Sequence, residues 1–154
     1  MRVIGFVIVG ALGCTRLLAQ DSLSLRVADY IRRGESTYRV VERDIFGVST
    51  EGGHITAYFD GDSLVWVVAK LYGEMGRSRV QAYWHHGVAI LAVDTTESYD
   101  EPLSGRVSGT ETHFWARDPA SLTSDAPGDW RDTLDAFAQC ARSTAPSGTA
   151  CDGA

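Results

Sequence analysis

Three stretches of the chain repeat one unit, an aromatic strand, a short polar turn and an apolar strand. They are Ala57-Tyr58-Phe59 into Leu64-Val65-Trp66, Ala82-Tyr83-Trp84 into Val88-Ala89-Ile90-Leu91, and His113-Phe114-Trp115 towards Leu122. Consecutive strands joined by so few residues cannot be parallel, because a parallel pair needs a long crossover, so the pattern specifies an antiparallel meander. The turns agree. Asp60-Gly61-Asp62-Ser63 joins the first hairpin, Gly73-Glu74-Met75-Gly76 makes the next reversal, and His85-His86-Gly87 joins the second hairpin, each with the Gly or Asp that tight turns use. Upstream, residues 38–47 read as a strand with partial alternation, ended by Gly52-Gly53; Asp94 to Gly109 is polar, holds Pro102 and two glycines, and reads as a mobile loop.

Helical periodicity occurs at the two ends of the domain. Leu23, Val27, Tyr30 and Ile31 form one amphipathic stripe, with Gly34 placed to end it; Trp130, Leu134, Phe137 and Ala141 form another, with Asp125 or Asp129 placed to cap it. The expected fold is therefore α+β, an antiparallel meander of about five or six strands packed by an N-terminal and a C-terminal helix. At 154 residues one domain suffices.

Residues 3 to 13 are an uncharged apolar run behind Arg2, too short to span a bilayer and suited to a signal peptide. The reading is a leader over 1–19, a single domain over 20–142 and a flexible tail over 143–154, with export to the periplasm or beyond. Two processing routes stay open. Leu17-Leu18-Ala19 before Gln20 suits signal peptidase, whereas Ala11-Leu12-Gly13-Cys14 looks like a lipobox, in which Cys14 would be acylated and the protein held on a membrane. Cys140 and Cys151 remain as an even pair for an oxidising compartment, a disulfide closing a short loop over the tail. The net charge of −6 becomes −8 if Arg2 and Arg16 leave with the leader, which argues against nucleic acid as a partner. Arg32-Arg33 is the only adjacent basic pair, and Lys70, the sole lysine beside 13 arginines, reads as GC-rich coding rather than a binding feature.

Ser49-Thr50-Glu51-Gly52-Gly53, Ala57-Tyr58-Phe59-Asp60, Leu71-Tyr72-Gly73-Glu74-Met75-Gly76-Arg77 and Ala82-Tyr83-Trp84 resemble a family of small uncharacterised bacterial secreted proteins and lipoproteins with the pattern STEGG, YYD, YGETGK, EYYF. The likeness covers roughly residues 38 to 117, about half the chain. It implies an envelope or extracellular α+β domain on an antiparallel sheet and brings no activity with it. The chain departs from the pattern at His85-His86 and in its cysteine-bearing C-terminal segment.

Motifs for chemistry are sparse. His54, His85, His86 and His113 are the side chains that suggest a metal, but adjacent strand residues point to opposite faces, and a zinc site needs three or four convergent ligands. Asp60, Asp62, Asp94, Asp100 and Glu97 lack EF-hand spacing and suit turns. Glu51 and Glu74 carry no sign of a shared pocket, and neither a Gly-x-Ser-x-Gly elbow, a P-loop nor a Gly-x-Gly-x-x-Gly motif is present. The function expected is thus a non-catalytic binding or structural role, with no cofactor. A metal-dependent enzyme or hydrolase using the histidines is the alternative. Tyr58, Trp66, Tyr83, Trp84 and Trp115 are the candidate recognition face for a protein, peptide or glycan, since exposed aromatics mark interaction surfaces.

Overall fold

The six hairpin strands lie side by side in sequence order, so each reversal in the chain becomes one edge-to-edge pairing. A computed structural model describes residues 25–117, 128–144 and 151–152; the leader, Cys14, Asp125 and most of the tail lie outside them. Helix α1 occupies 25–33 of the described chain and is followed by a 3-10 turn, Glu35–Thr37. Strands β1 (Arg39–Phe46), β2 (Gly53–Asp60), β3 (Ser63–Gly73), β4 (Gly76–His85), β5 (Val88–Tyr99) and β6 (Val107–Ala116) follow, then helix α2 (Gly128–Arg142) and a two-residue strand β7 (Cys151–Asp152). The sheet order is β6-β5-β4-β3-β2-β1-β7, antiparallel throughout except that β7 pairs parallel with β1. The α+β meander with one helix near each end of the domain is the architecture expected from the hairpin repeats, with β7 added at the β1 edge.

Local chemistry sets the turns. His86 and Gly87 both hold positive φ, 50° and 78°, as a two-residue type I′ hairpin requires at its central positions. The motif Ser49 to Gly53 and the segment Tyr72 to Gly76 are packed together. Glu51 N–H donates to the Tyr72 carbonyl at 3.2 Å, and Tyr72 N–H to the Gly52 carbonyl at 2.9 Å. A Cβ on Gly53 would stand 2.5 Å from the Lys70 carbonyl, and one on Gly76 would stand 2.3 Å from that of Glu97. The glycines of the resemblance are therefore places where neighbouring backbones press together, a packing requirement and not a ligand loop.

One expectation is corrected. Asp94 to Tyr99, read as loop because it is polar, continues β5 and pairs with Gly76 to Val80. Its side chains are hydroxyls and charges on a regular ladder, mostly half-buried, so polarity there does not mark irregular backbone. The true loop is 100–106, braced by Ser104 Oγ donating to Asp100 at 2.7 Å and by an Arg106–Asp100 ion pair at 3.1 Å.

Both sheet faces are packed. Against α2, Ile45, Ile55, Ala57, Phe59, Leu64, Val67, Ala69, Val80, Ala82, Trp84 and Ala92 meet Leu134, Phe137, Ala138 and Ala141. Against α1, Trp66, Val68, Tyr83 and Leu91 meet Ala28 and Ile31. Alternation thus sends Tyr58 and Phe59, or Tyr83 and Trp84, into different layers. Arg43 is the one buried charge among the described residues, at 4% exposure. It lies beneath the C-terminus of α2, with Nε donating to the Cys140 carbonyl at 3.1 Å and Nη2 to that of Ser143 at 2.9 Å. Final-turn carbonyls have no intrahelical partner, and the guanidinium supplies one together with a charge suited to the negative end of the helix dipole. Beside it, Cys140 and Cys151 lie at disulfide distance, with Cα atoms 5.7 Å apart.

Candidate functional site

The five candidate aromatics do not form one platform. Tyr58, Trp66 and Tyr83 stack in a column on the α1 side, with ring centroids 4.3 Å and 5.8 Å apart and planes within 17° and 5° of parallel. Trp84 and Trp115 pack in the opposite layer, against the α2 core. Trp66, Tyr83 and Trp84 are 5%, 2% and 3% exposed, so most of this aromatic area is core, and the expectation of an open aromatic face is corrected. The reason is period two: tandem aromatics on a strand cannot share a side, and with a helix on each face both members of the central Tyr83-Trp84 pair are covered, whereas Phe114 on the edge strand stays exposed. Burial, and then the hydrogen bond from Tyr58 Oη to Glu35 Oε1 at 3.1 Å, raise the Tyr58 pKa above the ordinary value; burial likewise raises Tyr83.

The histidines separate. His54 Nδ1 lies 3.1 Å from Asp44 on one sheet face, His85 and His86 sit together at the β4–β5 tip, and His113 lies 3.6 Å from Glu111 on β6. Among the described residues no three His, Cys, Asp or Glu side chains converge as metal ligands. Several of the candidate calcium carboxylates have partners of their own: Ser78 Oγ donates to Asp94, Thr96 Oγ1 donates to it at 3.4 Å, and Arg77 Nε donates to Glu97 at 2.6 Å. Ser78 is bonded to a carboxylate and not to an imidazole. Ser78, Asp94 and Thr96 line a hollow of about 430 Å³ beside Trp130 and Thr133 of α2. A cleft of about 650 Å³ lies at the other end of the sheet, between α1 and the hairpin tips, with Tyr30, Tyr38, Asp60, His85 and His86 in its walls.

A cluster of exposed cations lies on the α1 side of the sheet. The helix is short: the row formed by Tyr58, Trp66, Tyr83 and Leu91 and, in the next row, Val68 and Val93 belong to its core, and the rows beyond them are open. In register, one open row runs Asp44, His54, Lys70, Arg79, Thr95, Thr112 from β1 to β6. The next runs Tyr72, Arg77, Glu97, Thr110. Lys70 and Arg79 are therefore directly opposed on neighbouring central strands, an arrangement of like charges that destabilises a sheet. No carboxylate among the described residues lies within ion-pair distance of either. Together with Tyr72, Arg77, Gln81 and Thr95 they line a depression of about 490 Å³. The hydrogen bond from Arg77 to Glu97 raises the Arg77 pKa.

This strip was missed in the sequence because basic pairs were sought at adjacent positions. On a strand, partners on one face stand two apart, and Arg77 and Arg79, or Lys70 and Tyr72, have that spacing. Among the described residues no helix is long and apolar enough to cross a membrane. Comparison with protein-family profiles, with curated proteins and with solved structures finds no match to the chain.

Proposed function

We propose that the protein is an exported, non-catalytic binding module of the bacterial cell envelope, and that it binds through the half of the sheet face that α1 leaves open. The observation that carries this reading is the like-charged Lys70 and Arg79 facing each other in an exposed depression. Sequences that fold well avoid such local conflicts except where a site needs them. The apolar run behind Arg2 and the Cys140/Cys151 pair support export into an oxidising compartment, where the two thiols would form a disulfide. Acylation at Cys14 would place the same module on a membrane; cleavage after Ala19 would release it.

The test has two parts. Protein recovered from a bacterial host by fractionation should lack Met1, and N-terminal sequencing or intact mass should give either Gln20 or an acylated Cys14 as its first residue. Purified protein should also sediment with a cell-envelope preparation at physiological salt. Cytoplasmic protein that retains Met1, or an envelope preparation that leaves it in the supernatant, refutes the reading.

A further inference from the structure

The identity of the ligand follows from the chemistry of the strip. Lys70 and Arg79 present unengaged cations side by side, whereas Arg77 is held by Glu97 at 2.6 Å and forms a fixed wall. The rest of the chain is acidic, with a net charge of −6, so this is a local reversal of sign, and it includes the only lysine in 154 residues. Guanidinium and ammonium groups select oxyanions: the guanidinium as a planar fork, the ammonium as a point charge. Tyr72, 43% exposed, lies one row below Lys70 on the same strand and face and lines the same depression. Gln81 and Thr95 add neutral hydrogen-bonding groups. The strip runs across three strands, β3, β4 and β5, spaced ~4.8 Å apart, which suits an extended chain better than a small ion. No aliphatic side chain lines the strip, so it has nothing to insert among acyl chains, which disfavours a lipid surface.

We propose that this strip binds an acidic polysaccharide, whose carboxylate or sulfate groups lie between Lys70 and Arg79 while a sugar ring rests on Tyr72. The proposal rests on the reading of the open face as a binding surface and adds the ligand class. An aromatic ring with adjacent cations is the pairing that a charged sugar needs, an apolar ring face and an oxyanion on one residue.

The experiment is affinity electrophoresis and calorimetry of the full chain with sodium polygalacturonate, with its fully methyl-esterified form, with dextran sulfate and with dextran. Binding to the two acidic polymers, weakening steeply with added salt and absent for the two neutral ones, is expected. The Lys70→Gln/Arg79→Gln double variant should bind at least tenfold more weakly while keeping the wild-type circular dichroism and a melting temperature no lower than that of the wild type. Tyr72→Ala should weaken binding by a similar order with the salt dependence unchanged. Unchanged affinity in the double variant overturns the site; equal binding to the neutral polymers overturns the ligand class. Capture by phosphatidylglycerol vesicles or by DNA in place of the polysaccharides also overturns it. If no acidic polymer binds but the chain still sediments with envelope preparations, the ligand class falls and the binding-module reading stands. If neither occurs, both fall.

Discussion

Arg43→Met removes a charge from beneath helix α2 while leaving an apolar stem of similar length. In the native fold, Nε and Nη2 satisfy the carbonyls of Cys140 and Ser143 at 3.1 Å and 2.9 Å, and the side chain is 4% exposed. A hydrogen bond from a charged donor contributes about 1.5–3 kcal/mol; the Cys140 carbonyl also accepts from the Ser143 N–H at 3.2 Å and keeps that partner when the guanidinium is gone. Water can reach Ser143, which is half-buried, more easily than it can reach the Cys140 carbonyl. Counting one bond in full and the other in part gives an expected loss of about 3 kcal/mol, a substantial share of the ~5–15 kcal/mol that holds a domain. With a urea m-value of roughly 1–3 kcal/mol/M, the midpoint should fall by roughly 1–3 M at unchanged slope. Arg43→Lys, which keeps the charge but loses the fork, should recover about half of the loss. A midpoint shift equivalent to less than about 0.5 kcal/mol for Arg43→Met would show that the buried arginine is not capping the helix.

The other expectations are simpler to measure. Cys151→Ser should cost about 2–3 kcal/mol under oxidising conditions by the chain-entropy account of a loop with a sequence separation of 11, and added reductant should erase the difference from wild type; global unfolding would mean that the C-terminal segment is indispensable to the core. Tyr38, Tyr58 and Tyr83 all have pKa values raised from 10.0, chiefly by burial, so the native state holds their protons more tightly than the unfolded chain. That contribution is intact below pH about 10 and is lost as the pH rises through the native pKa values. Tyr83→Phe should flatten this alkaline decline, followed by phenolate absorbance and unfolding midpoint together; an unaltered slope would contradict the assignment. Lys70→Gln relieves a cross-strand like-charge contact and should leave the melting temperature equal or higher, whereas a loss of more than about 1 kcal/mol would show that Lys70 has a stabilising partner.

The hairpins and the helix stripe over Trp130, Leu134, Phe137 and Ala141 were legible because period and turn chemistry are local properties. The polar half of β5 was misread: Thr95, Thr96 and Glu97 look like loop residues until the register against Ser78, Arg79 and Arg77 is known. Arg43 gave no signal at all, since its partners stand 97 and 100 residues away in sequence. The split of Tyr83 from Trp84 followed from alternation alone, but their burial depended on both helices, and covering cannot be read from one strand. The opposed Lys70 and Arg79 needed the length of the Glu74–Met75 turn and the pairing it enforces.

The late position of α2 has a consequence for when this chain can fold. Each hairpin from β1 to β6 closes a short loop, and such contacts form early at small entropic cost. Yet Ile45, Ile55, Ala57 and Val67 find shelter only when Leu134, Phe137 and Ala141 arrive, and Ile45 meets its β7 partner, Cys151, still later. A chain growing from its N-terminus would therefore carry a six-stranded sheet with one greasy side until α2 emerges. Helix, arginine latch and cysteine pair close on β1 together, and a truncation before α2 leaves the face of Ile45, Ile55, Ala57 and Val67 with no helix to cover it.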